Sequence, residues 1–276
     1  MLIDTHCHLD APEFDADREA VLADARRAGV ERFVVPAVDE AGIERVVALA
    51  DRHADVYFAL GIHPMYVDAA RDEALVVLRD ALLRLADHPR LIAIGEIGLD
   101  YFVPGLDHAR QQRFLEAQLR MARDFDLPVI LHSRRAVDAI AAALRRFRPR
   151  AGVAHAFNGS EQQARQLHGL GLTLGFGGAM TFSRAKNIRR LAGSLPIEAL
   201  VLETDAPDIA PAWLHPERNT PLELPRIAAE LAMLRGLDVQ TVIRATGENA
   251  GRSLPGITAA DGRRSGGQDG GRPSAH

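Results

Sequence analysis

Eight short runs rich in Val, Ile, Leu and Phe recur along the chain, separated by longer amphipathic stretches, and this alternation constrains the fold more than any other feature. The runs are 2–8, 32–38, 56–63, 91–98, 128–132, 152–157, 172–178 and 199–204. Near-continuous apolar runs suit strands buried on both faces. Helical patterning is read at 15–29, 72–88, 107–125, 134–147, 160–170, 184–193, 221–236 and 238–250. In the first of these, Val21, Leu22 and Ala25 form one apolar stripe, and Gly29 stands where a C-terminal cap belongs. Strands alternating with helices over 276 residues predict an α/β fold, a (β/α)₈ TIM barrel of ~250 residues with its site at the C-terminal ends of the strands. An open doubly wound sheet is the competitor, but no Gly-rich dinucleotide fingerprint follows the first strand. The barrel is expected to span 1–255. Residues 256–276 are rich in Gly, Arg and Ser, with almost no large apolar residue, and are expected to be a disordered tail.

Composition narrows the classes further. A hydrophobic share of 47% and a charged share of 25% are those of a globular chain, not of a disordered or fibrous one. A net charge of −4 excludes a strongly basic nucleic-acid coat, so any contact with nucleic acid should be local. Cys7 is the lone cysteine and excludes an internal disulfide, which suits a reducing cytosol. No apolar run reaches the ~18 residues of a membrane helix, and Asp4 interrupts any signal-peptide core. A cytoplasmic protein with no membrane contact and no stable protein partner is expected.

Chemistry-bearing residues gather at the predicted strand ends. The first strand closes on His6-Cys7-His8, whose alternation points both imidazoles into the barrel mouth and Cys7 outward. His63, Glu96, His132 and His155 follow at later ends, then Glu203 and Asp205 two apart. The remaining histidines (His53, His88, His108, His168, His215 and His276) fall in helical or loop stretches and read as surface residues. A single buried His or Glu is more often a satisfied core group than a ligand. Burying these together without compensation is costly, and a cation removes that cost. Four imidazoles (His6, His8, His132, His155) and two carboxylates (Glu96, Asp205) exceed one tetrahedral ion. They suit two divalent ions ~3.5–4 Å apart with one carboxylate bridging. Glu96 is the natural bridge, since its strand lies between the others. The donor mixture leaves Zn, Mg, Mn, Fe and Co open. A serine nucleophile is disfavoured, because no G-x-S-x-G elbow is present.

In order, the blocks DTHCHLD, GIHP, GEIGLDY, HSR, HAFNGS, ETDAP and RNTP resemble those of the TatD family of metal-dependent hydrolases, within the amidohydrolase-like barrels. The resemblance runs from residue 1 to about 254. It implies a TIM barrel, two divalent metal ions and deoxyribonuclease activity, commonly 3′→5′ exonuclease action on single-stranded DNA ends. By the same resemblance, His6, His8 and Asp205 would take one metal and His132 and His155 the other, with Glu96 shared. Ala156 and Asn158 stand where the family often has Cys and Ser, which touches substrate detail and not the ligands.

In the expected mechanism a metal-activated water attacks phosphorus, and Asp205 or Glu203 takes its proton. Glu203 has a second reading, as the group that orients a ligand histidine. His63 and Arg134 would hold a phosphate. Asn158 opens the helix after the sixth strand, where backbone N–H groups bind an anion or are simply capped. Tyr101 and Phe102 offer base stacking or loop packing. The same metals could instead cleave an amide or an ester such as D-aminoacyl-tRNA, since loops and not the barrel decide the substrate. A non-catalytic adaptor barrel would be expected to lack a ligand, and none of the six is missing.

Overall fold

The computed structural model describes residues 1–71 and 73–258. Eight parallel strands pair in chain order. They are β1 (Leu2–Asp4), β2 (Val30–Pro36), β3 (Val56–Leu60), β4 (Leu91–Asp100), β5 (Val129–Arg134), β6 (Gly152–Ala154), β7 (Leu172–Phe176) and β8 (Leu200–Leu202). The intervening helices are α1 (Arg18–Arg27), α2 (Gly42–Arg52), α3 (Ala74–Arg84), α4 (His108–Asp124), α5 (Val137–Phe147), α6 (Glu161–Gly169) and α7 (Lys186–Ser194). The chain ends with α8 (Leu224–Arg235) and α9 (Val239–Ser253). This is the (β/α)₈ barrel that the alternation predicts.

The seam between β8 and β1 is closed by short polar bonds. Thr5 donates its N–H and its hydroxyl to the Leu202 carbonyl, at 3.1 and 2.9 Å. The buried Asp4 carboxylate accepts the Thr204 N–H at 3.0 Å and its hydroxyl at 2.6 Å. Just beyond, the Asp205 N–H donates to the His6 carbonyl at 2.9 Å.

Period-two alternation divides the core in two. Phe33, Val35, Phe58, Val129, Leu131, Leu200 and Leu202 face the helices and pack with Leu22, Val46 and Leu144. Val34, Tyr57, Ala59, Ile130, Val153 and Val201 point inward and meet around the axis. Leu254 and Ile257 join that inner cluster and plug the bottom of the barrel. Continued upward, the same parity carries inward positions from Ile130 to His132, from Val153 to His155, and from Val201 to Glu203 and Asp205. Apolar layers below and polar groups at the top are thus one strand pattern.

Several boundaries differ from the sequence reading. Helix α2 was not anticipated, although Ile43, Val46, Val47 and Ala50 are spaced i, i+3, i+4, i+7 and are buried. Arg134 ends β5 and does not start a helix, because the chain turns through Arg135 at φ 55° and α5 begins at Val137. Strands β1, β6 and β8 stop before the functional positions, so His6, His155 and Asp205 sit on the first loop residues. Residues 256–258, placed in the tail by composition, form a helical turn with Ile257 fully buried; the rest of that segment lies outside the described residues. Among the described residues no helix is long and apolar enough to cross a membrane.

Ile257→Ala should therefore destabilise the protein by about 2–4 kcal/mol, as a buried aliphatic truncation does. Chemical denaturation at equilibrium measures it, and an effect below about 1 kcal/mol would show that the plug carries no packing energy.

Candidate metal centre

Glu96 lies at the middle of the barrel mouth and is almost wholly buried. Its two carboxylate oxygens face different groups. Oε2 is 3.1 Å from His6 Nε2 and 3.5 Å from His8 Nε2. Oε1 is 2.9 Å from His155 Nε2, 3.1 Å from His132 Nδ1 and 3.2 Å from His63 Nε2. The two imidazole nitrogens of His6 and His8 are 3.2 Å apart, and those of His132 and His155 are 3.4 Å apart. Asp205 Oδ1 adjoins the first group, at 3.5 Å from His6 Nε2 and 3.7 Å from His8 Nε2.

These separations test whether the donors fit cations. Two donors each ~2.1 Å from one ion, at angles between octahedral and tetrahedral, stand ~3.0–3.4 Å apart. The observed edges fall at or near that range. Their chemistry agrees, since acceptor atoms aimed at each other need a proton or a cation between them. Three triads of donors within mutual reach occur among the described residues: His6, His8 and Glu96; His6, His155 and Asp205; His63, Glu96 and His132.

Electrostatics show what fills that role when protons alone are available. Burial pushes the Glu96 carboxyl up, but the charges of His155, His63 and His6 and a bond from His132 outweigh it and hold it well below the carboxylate range. Burial and the His155 charge keep His6 well below its ordinary value, hence neutral. Burial likewise lowers His63. At His155 burial acts downward, but Glu96, Asp205 and Glu203 lift it to about 10. Burial raises Glu203 to about 8 and raises Asp205 as well.

The supporting residues explain why the imidazoles are held. His132 Nε2 is 3.1 Å from the buried Asp100 Oδ2, which leaves Nδ1 toward Glu96. Asp100 also accepts the N–H groups of Phe102 and Val103, at 2.8 and 3.1 Å. Gly98 lets β4 pass this close: a Cβ there would fall 1.9 Å from the His132 carbonyl oxygen. Glu203 Oε1 accepts the Ala156 N–H at 2.5 Å and faces His155 Nδ1 at 3.8 Å. Gly175 leaves its carboxylate room, since a Cβ would stand 2.1 Å from Oε2.

The structure thus brings His6, His8, Glu96, His132, His155 and Asp205 together. It adds His63, expected to hold phosphate, whose ring is buried against Glu96 and whose inward direction follows from the parity of β3. Asp100 was missed; the only sequence signal is its place at the end of GEIGLD. Arg134 lies outside the cluster, on the wall of a cavity of about 600 Å³ that opens beside His132 and His155. Its guanidinium carbon is 3.7 Å from the Phe102 ring centre, and that of Arg135 is 4.5 Å away. Among the described residues no carboxylate lines this cavity. Asn158 is on its exposed rim. The neighbouring helix start is spoken for, because Ser160 and Gln163 form a reciprocal capping box. Tyr101 packs on His108, with ring centres 4.2 Å apart.

Known proteins share this arrangement of chain. A family model described as TatD related DNase matches residues 3–255. The chain is 44% identical over 234 residues to the uncharacterized metal-dependent hydrolase YjjV of Escherichia coli strain K12, covering 84% of this chain and 90% of that one. It is 34% identical over 257 residues to the 3′-5′ ssDNA/RNA exonuclease TatD of a Pantoea species, covering 90% and 97%. The crystal structure of YjjV matches with a TM-score of 0.88 at 41% identity, over 92% of this chain and 98% of that one. A TatD family hydrolase from Entamoeba histolytica shares the fold, with a TM-score of 0.81 at 18% identity, over 92% and 98%.

Two outcomes are expected of metal-binding measurements. A His155 pKa of about 10 means a proton must leave before a cation binds at neutral pH. Titration of the metal-free protein with Zn²⁺ or Mn²⁺ near pH 7.5 should therefore release about one proton or more, read as a dependence of binding heat on buffer ionisation enthalpy. Apparent affinity should rise with pH toward 10 and fall in acid; heats independent of buffer would contradict the protonated His155. Asp100→Asn should weaken cation binding about 10–100-fold through loss of His132 orientation, read by chelator competition.

Proposed function

The chain belongs to the TatD related DNase family and is a metal-dependent hydrolase, and from that premise we propose that it removes nucleotides from single-stranded DNA ends, in the 3′→5′ direction. The observation that carries this reading is a donor cluster divided by one bridging carboxylate beside a cavity lined by two arginines and no acid. His6, His8 and Asp205 would hold one cation and His132 and His155 a second, with Glu96 available to both; His63 would join the second set. Such cations supply Lewis-acid polarisation of a phosphoryl oxygen and acidify water.

The protein's own residues do the rest. Asp205 takes the proton of the attacking water. Its Oδ1 lies 3.5–3.9 Å from the nitrogens of His6, His8 and His155, and burial raises its pKa above the ordinary carboxylate value, which makes it a better base. Glu203 positions His155 and the Ala156 loop and does not touch substrate. Arg134 and Arg135 neutralise the phosphates that lead to the cluster, and Arg134 suits this through its bidentate fork. Phe102 offers a face for a base, a contact worth ~1–3 kcal/mol. Asn158 hydrogen-bonds the strand at the rim.

Chelation should abolish cleavage of single-stranded DNA labelled at either end, and added Mg²⁺ or Mn²⁺ should restore it. Asp205→Asn should keep the fold and lower kcat by ~10²–10⁴-fold, the range for loss of a general base. A fully active Asp205→Asn enzyme would remove that residue from the chemistry. Acylated tRNA and cyclic amides assayed in parallel test the ester and amide alternative.

A further inference from the structure

A second cavity, of about 400 Å³, meets the first at His132 and His155 but has the opposite character. Beyond the cluster its wall carries four carboxylates, Asp10, Glu13, Asp39 and Asp208, against one arginine, Arg45. Arg45 is spent on Asp10, at 3.9 Å. Among the described residues, no arginine or lysine is within ion-pair distance of the Asp39 or Asp208 carboxylate, whereas Arg218 donates to the Glu13 carbonyl and lends that residue some positive charge. Tyr66, 44% exposed, and Met65, 46% exposed, supply an apolar floor between these acids. The Tyr66 ring centre is 6.0 Å from that of His63, so the floor borders the cluster. All four acids line the same cavity as Tyr66, and burial together with their charges raises the Tyr66 phenol pKa.

The mouth is therefore divided by charge. A polyanion approaching the cluster finds arginines on the β5 side and carboxylates on the side of Tyr66. Like-charge juxtaposition is an effective way to reject a wrong partner. We propose that the acidic cavity is the seat of the terminal nucleoside, and that Glu13, Asp39 and Asp208 make the enzyme end-selective by excluding any phosphate beyond the scissile one. The uncharged sugar and base rest on Tyr66 and Met65. The scissile phosphate sits at the cluster, and the remaining strand runs out past Arg134 and Arg135. A strand that continued through the site would carry a phosphodiester monoanion into the carboxylates, and one that ended in a phosphate would carry close to a dianion. The proposal rests on the nuclease reading above and assigns its selectivity to particular residues.

The test uses the metal-loaded enzyme and single-stranded oligonucleotides of one sequence ending in a 3′-hydroxyl or a 3′-phosphate, with the same pair made at the 5′ end to cover either polarity. For the wild-type enzyme, a phosphate at the attacked end should lower kcat/KM at least ~10-fold. The double variant Glu13→Gln/Asp208→Asn changes two exposed side chains outside the cluster. The readout is the ratio of kcat/KM on the two strands, whatever the variant's rate on either, and in the double variant the penalty for the phosphate should narrow to about threefold or less. Wild-type enzyme that cuts both ends equally would overturn the proposal. So would a double variant, active on the hydroxyl-ended strand, that keeps the full penalty. Failure of wild-type enzyme to cut any oligonucleotide would instead defeat the nuclease reading itself, and the two failures are distinct.

Discussion

A carboxylate buried in the mouth of a barrel is tolerable only if something positive surrounds it, and Glu96 organises the upper half of this molecule on those terms. Five imidazoles converge on its two oxygens. Desolvation alone would neutralise such a group. Here the surrounding histidines keep it ionised, and the proton lodged on His155 is the smallest cation that balances the cluster. The donor spacings are those that larger cations require, so the protonated state and the metal-loaded state are alternative solutions to one problem of buried charge.

Much of this was legible in the sequence because a barrel strand writes its geometry in a period of two. The alternation that buries Val34 and Ile130 on the axis also aims His132, His155 and Glu203 into the mouth, and both can be read without coordinates. What was not legible depends on register and on turns. Asp100 meets His132 because β4 runs for ten residues and its pairing with β5 shifts between Ile94 and Ile97. Arg135 shares the Phe102 face with Arg134 because the chain turns there through a left-handed residue. Neither property follows from residue types. Helix α2 carried a readable pattern and a start signal that was passed over, Asp39, whose side chain accepts the Gly42 amide three residues on. His63 was read at the right strand end, but its contact with Glu96 was not legible, since how far each strand end reaches along the barrel axis is set by sheet pairing.

The division of the mouth into a basic and an acidic half follows from the same architecture. Each βα loop contributes one or two side chains to the rim, so charge is distributed by strand number. Loops after β5 and β6 place Arg134, Arg135 and Asn158 together. Loops after β1, β2 and β8 place Glu13, Asp39 and Asp208 together. A scaffold with eightfold repetition thereby acquires a direction across its mouth, while the chemistry stays at the axis.

The seam between β8 and β1 has one more consequence. His6 and Asp205 are joined by a backbone bond across almost two hundred positions of chain, next to the Asp4–Thr204 latch. The first donor of the cluster to leave the ribosome therefore waits for the last. A nascent or truncated polypeptide can form most of its helices and strands yet remain inert, because hydrolytic competence arrives only with ring closure. A cell that makes this enzyme is in this way spared a partly built hydrolase.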